Sequence, residues 1–314
     1  MLVACTPSPP LVPSPLYLNF AFLIKSEFLS NERSFFKRLR TGDGEQSEMS
    51  FIDHLEILRW HIVRSAIAIV SSAILFFIYI DEIFDKVIMG PTHNDFISYR
   101  IFCSLSHLLG MGDSLCMPPM KMNLQVTSIS GTFMSSITIA ISGGILLALP
   151  FVFWEVWKFI KPALKPSELK YTQGIIFWVS MFFFIGAAFG YFMLAPFTFN
   201  FLSNYTIGAM GAIDYRPTLS DYLDTLIDIT LGAGIAFELP MATWLLSKLG
   251  IITPGFLREY RKYAYVVLLV LAAIITPSPD WGSQLIVVIP LVMLYEISIF
   301  IAARIQKKRD AEWE

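Results

Sequence analysis

The sequence predicts an all-α integral membrane protein with six transmembrane helices and both termini in the cytoplasm. Of its 314 residues, 55% are hydrophobic and only 15% are charged, whereas about a quarter of the residues in a soluble domain are charged. The mean hydropathy is +0.61. The apolar residues also fall into long runs separated by polar loops. The net charge of −2 provides no basic field for phosphate, which excludes a nucleic-acid binder.

The number of spans follows from the pattern of these apolar runs. A transmembrane helix needs about 20 apolar residues, and runs of this length satisfy their backbone in lipid as helices. The second run is too long for a straight span and contains Gly143, Gly144 and Pro150, which predicts a kink or a tilt. The fifth run is short for a full crossing. The six runs cover residues 60–80, 126–157, 171–192, 222–249, 263–275 and 283–303.

Residues 1–48 differ from the rest of the chain. They contain five prolines within the first fifteen residues, then a short apolar patch, then a charged run. The patch is too short for a span, and no basic residue precedes Lys25 as it would in a secretory signal. Because Met49 opens a segment typical of a natural start, we expect residues 1–48 to be an upstream extension or a disordered tail. The membrane domain then covers residues 49–304, and residues 305–314 form a cytoplasmic tail.

The lysines and arginines orient the spans. After residue 48, fourteen of these residues fall on one side of the membrane, in the loops, the start of the first helix and the tail. The loops on the other side contain four. Cytoplasmic loops are the ones enriched in Lys and Arg. The basic side is therefore predicted to be the cytoplasm, and the opposite side holds only Lys86, Arg100, Lys121 and Arg216.

This orientation bears on two of the three cysteines. Cys103 and Cys116 lie in the long first outer loop, which then faces an oxidising compartment, so a disulfide between them is plausible beside the alternative of two free thiols. Neither a Cys-x-x-Cys pair nor a histidine cluster accompanies them, and no metal site is predicted. Cys5 falls in the residues 1–48 segment.

The side chains give little support for an enzyme. The sequence has no His-Glu-x-x-His motif and no Gly-rich phosphate loop, and no nucleophile–base pair can be named. We therefore expect neither catalysis nor a cofactor. The four histidines all lie away from the middle of the apolar runs, at positions His54, His61, His93 and His107.

Carboxylates within the apolar runs are the more informative residues. Glu238, just before Pro240, lies in the fourth run, and Glu296 lies near the middle of the sixth. A charge at that depth costs a few kcal/mol, so a functional or a partnered group is expected. For Glu238, a wet cavity within the bilayer and a protonated hydrogen bond between helices both remain open. Asp221, Asp224 and Asp228 lie on the same face of the fourth helix as Glu238, and Asp221 and Asp224 are expected to be solvated near its outer end.

Gly186 and Gly190 form a small-residue face on the third helix, separated by three residues. Such a face permits two helices to approach closely. We expect it to pack within the monomer rather than between two copies of the chain.

Five motifs occur in an order that resembles the TatC family, the multispanning subunit of the twin-arginine protein translocase. The resemblance runs from Met49 to about Arg304. Its motifs are the 51–59 segment with His54-Leu55-Glu56-Ile57-Leu58-Arg59, then Pro91, then 157–164 followed by Glu168, then Phe237-Glu238-Leu239-Pro240, and finally 276–280 with Asp280, followed by Gln284.

The resemblance implies a glove-shaped bundle with a short fifth and sixth helix. It also implies a receptor for the twin-arginine motif of signal peptides. Two family glutamates hold the arginines, which suits the bidentate pairing of guanidinium with carboxylate. One maps onto Glu168, but Ile57 stands at the position of the other, and Glu56 is either a substitute or a solvated acid at the helix start. The implied binding residues are Glu168, Glu56, Arg59, His54, Leu55, Phe159 and Pro162.

The remaining implications concern the membrane and the partners. Glu238, Pro240 and Glu296 would line an intramembrane cavity, and Pro91, Asp280 and Gln284 would serve the outer loops. The family works in the bacterial inner membrane as an oligomer in contact with lipid. There it assembles with the single-span TatA and TatB subunits and exports folded cargo with the proton-motive force.

An alternative from another class is a proton-coupled secondary transporter. Glu238 and Glu296 would then act as intramembrane relays. Such transporters usually contain repeated halves with broken helices, and the sequence shows no convincing internal repeat.

Overall fold

The structure, a computed structural model, describes residues 51–93, 96–108, 116, 123–161, 174–204, 216–276 and 281–311. Over these ranges the backbone is helical, with no strand beyond an isolated bridge between Gln125 and Thr218. This confirms the all-α prediction. The chain divides into two units, Met1–His54 and Leu55–Glu314. The helices belong to the second unit, apart from the first four residues of the first helix.

Each of the six predicted spans contains a helix. We call them the first to the sixth helix in chain order. The third continues through a π-turn at Gly190–Leu194, and the fourth is interrupted for two residues at Phe237 and Glu238. Their bounds are Phe51–Ile78, Gly131–Ile160, Ile175–Phe189 with Ala195–Asn204, Leu219–Ala236 with Leu239–Lys248, Arg261–Ile275 and Trp281–Ala311.

Five of these helices are long and apolar enough to cross a membrane, judged by length and composition over the described residues. The fifth, with 15 residues, falls short of that length, as its short apolar run predicts. The sixth helix is longer than the short sixth helix that the resemblance implies. This helix runs for 31 residues to Ala311, because the residues that follow its apolar part include Arg304, Lys307 and Lys308, which favour helix.

The first and second helices cross at a pair of glycines. A Cβ atom added to Gly144 would come within 2.7 Å of the backbone nitrogen of Ala73, and one added to Gly143 would meet the ring of Phe76. The absence of side chains at these positions therefore lets the two backbones approach closely.

The third and fourth helices pack in the same manner. A Cβ atom on Gly186 would lie 2.7 Å from the carbonyl oxygen of Ala233, and one on Gly190 would lie 2.7 Å from that of Ile229. The small-residue face thus packs within the chain, as predicted.

The core lies around the third, fourth and sixth helices. Phe183, Leu194, Ile229 and Leu291 are at most 2% exposed there. The first helix is different, because the most apolar part of its Glu56–Ile78 segment contains no buried residue. Its packing face is a half-buried stripe at helical spacing, which includes Ile57, His61, Arg64, Ala68, Ala73 and Phe76.

The turn after the first helix is held by three tyrosines from different helices. The chain passes through a π-turn at Phe84–Ile88 and a 3₁₀ turn at Gly90–Thr92, and carbonyl groups in such turns need partners from elsewhere. The hydroxyls of Tyr191, Tyr222 and Tyr99 donate to the carbonyls of Val87, Ile88 and Pro91 at 2.5, 2.5 and 2.8 Å.

Candidate functional site

The start of the first helix and the end of the second lie together. His61 Nδ1 is 2.6 Å from Glu155 Oε2. One turn further along the second helix, the ring of Phe159 packs edge-on against the His61 ring, with the ring centres 6.2 Å apart. Because these helices are antiparallel neighbours, the residues before His61 and those after Phe159 leave from the same end of the pair.

Three of the predicted binding residues have described side chains at this end. Glu56 and Arg59 are exposed on the first helix, and Phe159 is half-buried on the second. His54 and Leu55 belong to the first helix, but their side chains lie outside the described residues, as do Glu168 and Pro162 altogether. Ile57 is half-buried and lies one turn before His61 on the same helix face.

Glu155 is the residue of this region that the sequence analysis missed. Its side chain is 2% exposed, and it is surrounded by basic groups. Lys158 Nζ lies 2.9 Å from Oε1, and Arg64 Nη1 lies 3.9 Å from Oε2. In the sequence, Glu155 is a carboxylate within the long second apolar run, three residues before Lys158. A charged residue so close to the end of a run is also what the polar end of a span would show, so the pattern did not single it out.

Glu238 lies where the fourth helix is interrupted, one residue after Phe237. It is half-buried, whereas Asp221 and Asp224 are exposed, as predicted for solvated acids, and Asp228 is exposed as well. Its Oε1 atom is buried and has no hydrogen-bond partner among the described residues. Pro240, two residues later, is buried in the first turn of Leu239–Lys248. Because proline has no backbone N–H, it leaves no donor without a partner in this turn.

Glu296 has a different environment. Arg261 Nη2 lies 2.9 Å from Glu296 Oε2, and the hydroxyl of Tyr265 donates to Glu296 Oε1 at 2.5 Å. Both partners belong to the fifth helix. The carboxylate is therefore paired, and it ties the short fifth helix to the sixth.

The outer-loop residues are held by hydrogen bonds or by a covalent link. Pro91 is buried, and its carbonyl accepts from Tyr99, whose pKa burial raises to about 12. Gln284 Nε2 donates to the carbonyl of Leu269 at 3.3 Å. Asp280 lies outside the described residues.

Cys103 and Cys116 are joined as a disulfide, with their Cα atoms 4.4 Å apart. His107 Nε2 lies 3.9 Å from the Cys116 sulfur, so these three residues form a potential metal-binding group by position. Disulfide sulfurs are not the thiolates that bind a metal, and the group therefore does not fit a metal site in this state.

The match to known proteins covers most of the chain. The family model described as Sec-independent protein translocase protein (TatC) matches residues 53–290. The TatC of Blattabacterium sp. subsp. Periplaneta americana (strain BPLAN) is 37% identical over 266 residues, covering 84% of this chain and 99% of that protein. The chain belongs to the TatC family. Another TatC, from Carboxydothermus hydrogenoformans, is 34% identical and covers 84% of this chain and 97% of its own length.

The fold agrees with solved TatC structures. A crystal structure of the twin arginine translocase receptor TatC in DDM has a TM-score of 0.63 and 28% identity, and it covers 79% of this chain and 99% of the solved one. A second crystal structure of the twin arginine translocase receptor TatC has a TM-score of 0.60 and 27% identity, and it covers 81% of this chain and 99% of the solved one. The chain is thus a multi-pass membrane protein and a subunit of the Sec-independent protein translocase.

Proposed function

We propose that this TatC chain is the receptor for twin-arginine signal peptides and the core of the translocase that exports folded proteins. The observation that carries this proposal is the contact of His61 with Glu155 and Phe159. It supports a site in which the 51–59 motif and the segment leading to Glu168 leave from one end of the first two helices.

The chemistry of this end suits a receptor for two arginines. Carboxylates hold guanidinium groups through charge-assisted, often bidentate hydrogen bonds. Glu168 and Glu56 are the proposed acceptors, with Arg59, His54, Leu55, Phe159 and Pro162 around them. Glu56 is exposed on the first helix and so has room to turn toward a bound peptide.

We also propose the membrane setting that the resemblance implies. The site lies on the cytoplasmic side of a bacterial inner membrane, transport uses the proton-motive force, and the outer-loop disulfide forms on the oxidising side. Glu238 and Pro240 serve a cavity within the bilayer. The fifth helix spans only about 22 Å at 1.5 Å per residue, less than the roughly 30 Å hydrocarbon core, which supports a thin edge for the TatA- and TatB-type partners in an oligomer.

Photocrosslinking tests the receptor role. A photoreactive amino acid at position 161, which leaves the proposed acceptors Glu168 and Glu56 in place, should label a peptide with twin arginines and not a matched peptide with twin lysines. Equal labelling of the two peptides would contradict the assignment. Uptake of a small solute into liposomes by the purified chain alone would favour the transporter alternative, which the pairing of Glu296 with Arg261 does not support.

A further inference from the structure

The first helix contacts the rest of the chain along one half-buried face, and the most apolar part of Glu56–Ile78 contains no fully buried residue. Its close crossing with the second helix is at Ala73 and Gly144, and twelve residues separate Ala73 from His61, which is about 18 Å along a helix. At the N-terminal end of this face the contact with the second helix is polar, and the Glu155 cluster is located there.

The cluster links the two helices through one buried carboxylate. His61 and Arg64 belong to the first helix, and Lys158 belongs to the second, together with Glu155 itself. A buried carboxylate without partners is strongly disfavoured, and removing it from such a cluster leaves the remaining cations facing one another. Holding this charge thus requires the first helix to stay against the second.

The same geometry argues against direct arginine binding by Glu155. Both of its oxygens already have partners, Lys158 on Oε1 and His61 with Arg64 on Oε2. The side chain of Glu155 is also only 2% exposed, so a peptide arginine could not reach it without displacing these partners. Its effect on a bound peptide must therefore pass through the residues that it holds.

We propose that Glu155 is a positioning residue of the twin-arginine site: it ties the motif-bearing end of the first helix to the end of the second helix from which the Glu168 segment departs. This role rests on the proposed receptor function. His61 connects Glu155 to the proposed peptide-binding residues, because it lies on the same helix face as Ile57 and Arg64 and its ring contacts Phe159. The link therefore sets how the first helix lies against the second helix at this end.

The test is the affinity of the full chain in lipid nanodiscs for a twin-arginine peptide, with a twin-lysine peptide as reference. Glu155→Gln should weaken twin-arginine binding by about tenfold, and Glu155→Asp, which keeps the charge, should recover a large part of it. Glu82→Gln is the matched control, since it removes an exposed carboxylate at the other end of the first helix and should bind like the wild type. The melting temperature of each variant shows whether it is folded.

A double-mutant cycle shows whether Glu155 acts through His61. The loss in Glu155→Gln combined with His61→Gln should be smaller than the two single losses together, because both remove one link. Folded Glu155→Gln with wild-type affinity would overturn the proposal, and so would additive losses. If Glu155→Gln does not fold, His61→Gln decides: several-fold weaker binding supports the link, and unchanged binding overturns it. A wild-type chain that binds both peptides equally would instead overturn the receptor function on which the proposal rests.

Discussion

At the residue scale, two similar acids in the sequence turn out to have different environments. Glu238 and Glu296 each lie within an apolar run, and the sequence offers no way to tell them apart. The partners of Glu296 are Arg261 and Tyr265, which lie 35 and 31 positions earlier in the chain, so helical periodicity cannot reveal them. Glu238 keeps a buried oxygen without a partner in the described part of the chain, which makes it the better candidate for a functional acid.

The pairing of Glu296 has a measurable consequence for stability. Arg261 is the first residue of the fifth helix, at its predicted cytoplasmic end, and both side chains of the Arg261–Glu296 pair are about two-fifths exposed. Ion pairs that water reaches in this way contribute little individually. We expect a coupling free energy of about 1 kcal/mol or less between Arg261→Gln and Glu296→Gln. Thermal unfolding of the two single variants and the double variant measures it. Losses that add within error would show that the pair contributes nothing to holding the fifth helix.

Ile57 provides the residue-scale test of the binding site. A glutamate there would lie on the helix face of His61 and Arg64 and would offer a second bidentate acceptor for an arginine. We expect Ile57→Glu to strengthen twin-arginine peptide binding on the order of tenfold. Ile57→Gln, with the same shape and no charge, should show no such gain. Unchanged affinity of Ile57→Glu would argue against the mapping of this position onto the site.

At the scale of the helices, the sequence predicted which helices exist and in what order better than it predicted where each helix ends or is interrupted. All six apolar runs contain a helix, because each long run can satisfy its backbone in lipid only in that way. The ends differ: the third helix continues to Asn204 through a π-turn, and the sixth continues into the charged tail. Hydropathy measures the preference for lipid, whereas a helix ends where its backbone loses hydrogen-bond partners, so the two boundaries need not coincide.

The crossing of the first and second helices leads to a prediction about adjacent glycines. A Cβ at position 144 would press on the backbone of Ala73, which cannot move without displacing the first helix, whereas one at position 143 would meet the Phe76 ring, which can rotate. Gly144→Ala should therefore destabilise the chain by about 1–3 kcal/mol, the range for overpacked positions, and Gly143→Ala by less. Thermal unfolding of both variants in detergent decides this. Equal losses would show that the crossing tolerates a shift of the first helix.

At the scale of the whole molecule, the composition predicted the class and the ordered motifs predicted the family, while the polar contacts between helices were beyond the sequence. Glu155 illustrates the limit. It lies in an apolar run beside Trp154 and before Trp157, and only the three-dimensional fold brings His61 and Arg64 of another helix to its carboxylate. The motif residues at Glu168, Pro162 and Asp280 lie outside the described residues, so their roles stay predictions.

The orientation of the molecule is the remaining prediction at this scale. Fourteen of the lysines and arginines after residue 48 fall on one predicted side and four on the other, and cytoplasmic loops are enriched in these residues. The fold is consistent with this division, since Gln125 exchanges backbone hydrogen bonds with Pro217 and Leu219, and all three lie at predicted outer ends, whereas His61 meets Phe159 at the predicted inner end.

Single cysteines introduced at Lys161 and at Arg216, in a chain whose three native cysteines are replaced by serine, test the orientation. A charged, membrane-impermeant maleimide should label position 216 once the outer face of the membrane is accessible and should reach position 161 only after the membrane is permeabilised. The reverse pattern would invert the topology and would place the His61–Glu155 end, with the proposed peptide site, on the side where no signal peptide arrives. Labelling of both positions before permeabilisation would place residues 161 and 216 on the same side of the membrane. Because Arg216 lies beside Gln125, this result would contradict the assignment of Gly131–Ile160, the one helix of the six between residues 125 and 161, as a membrane-spanning helix.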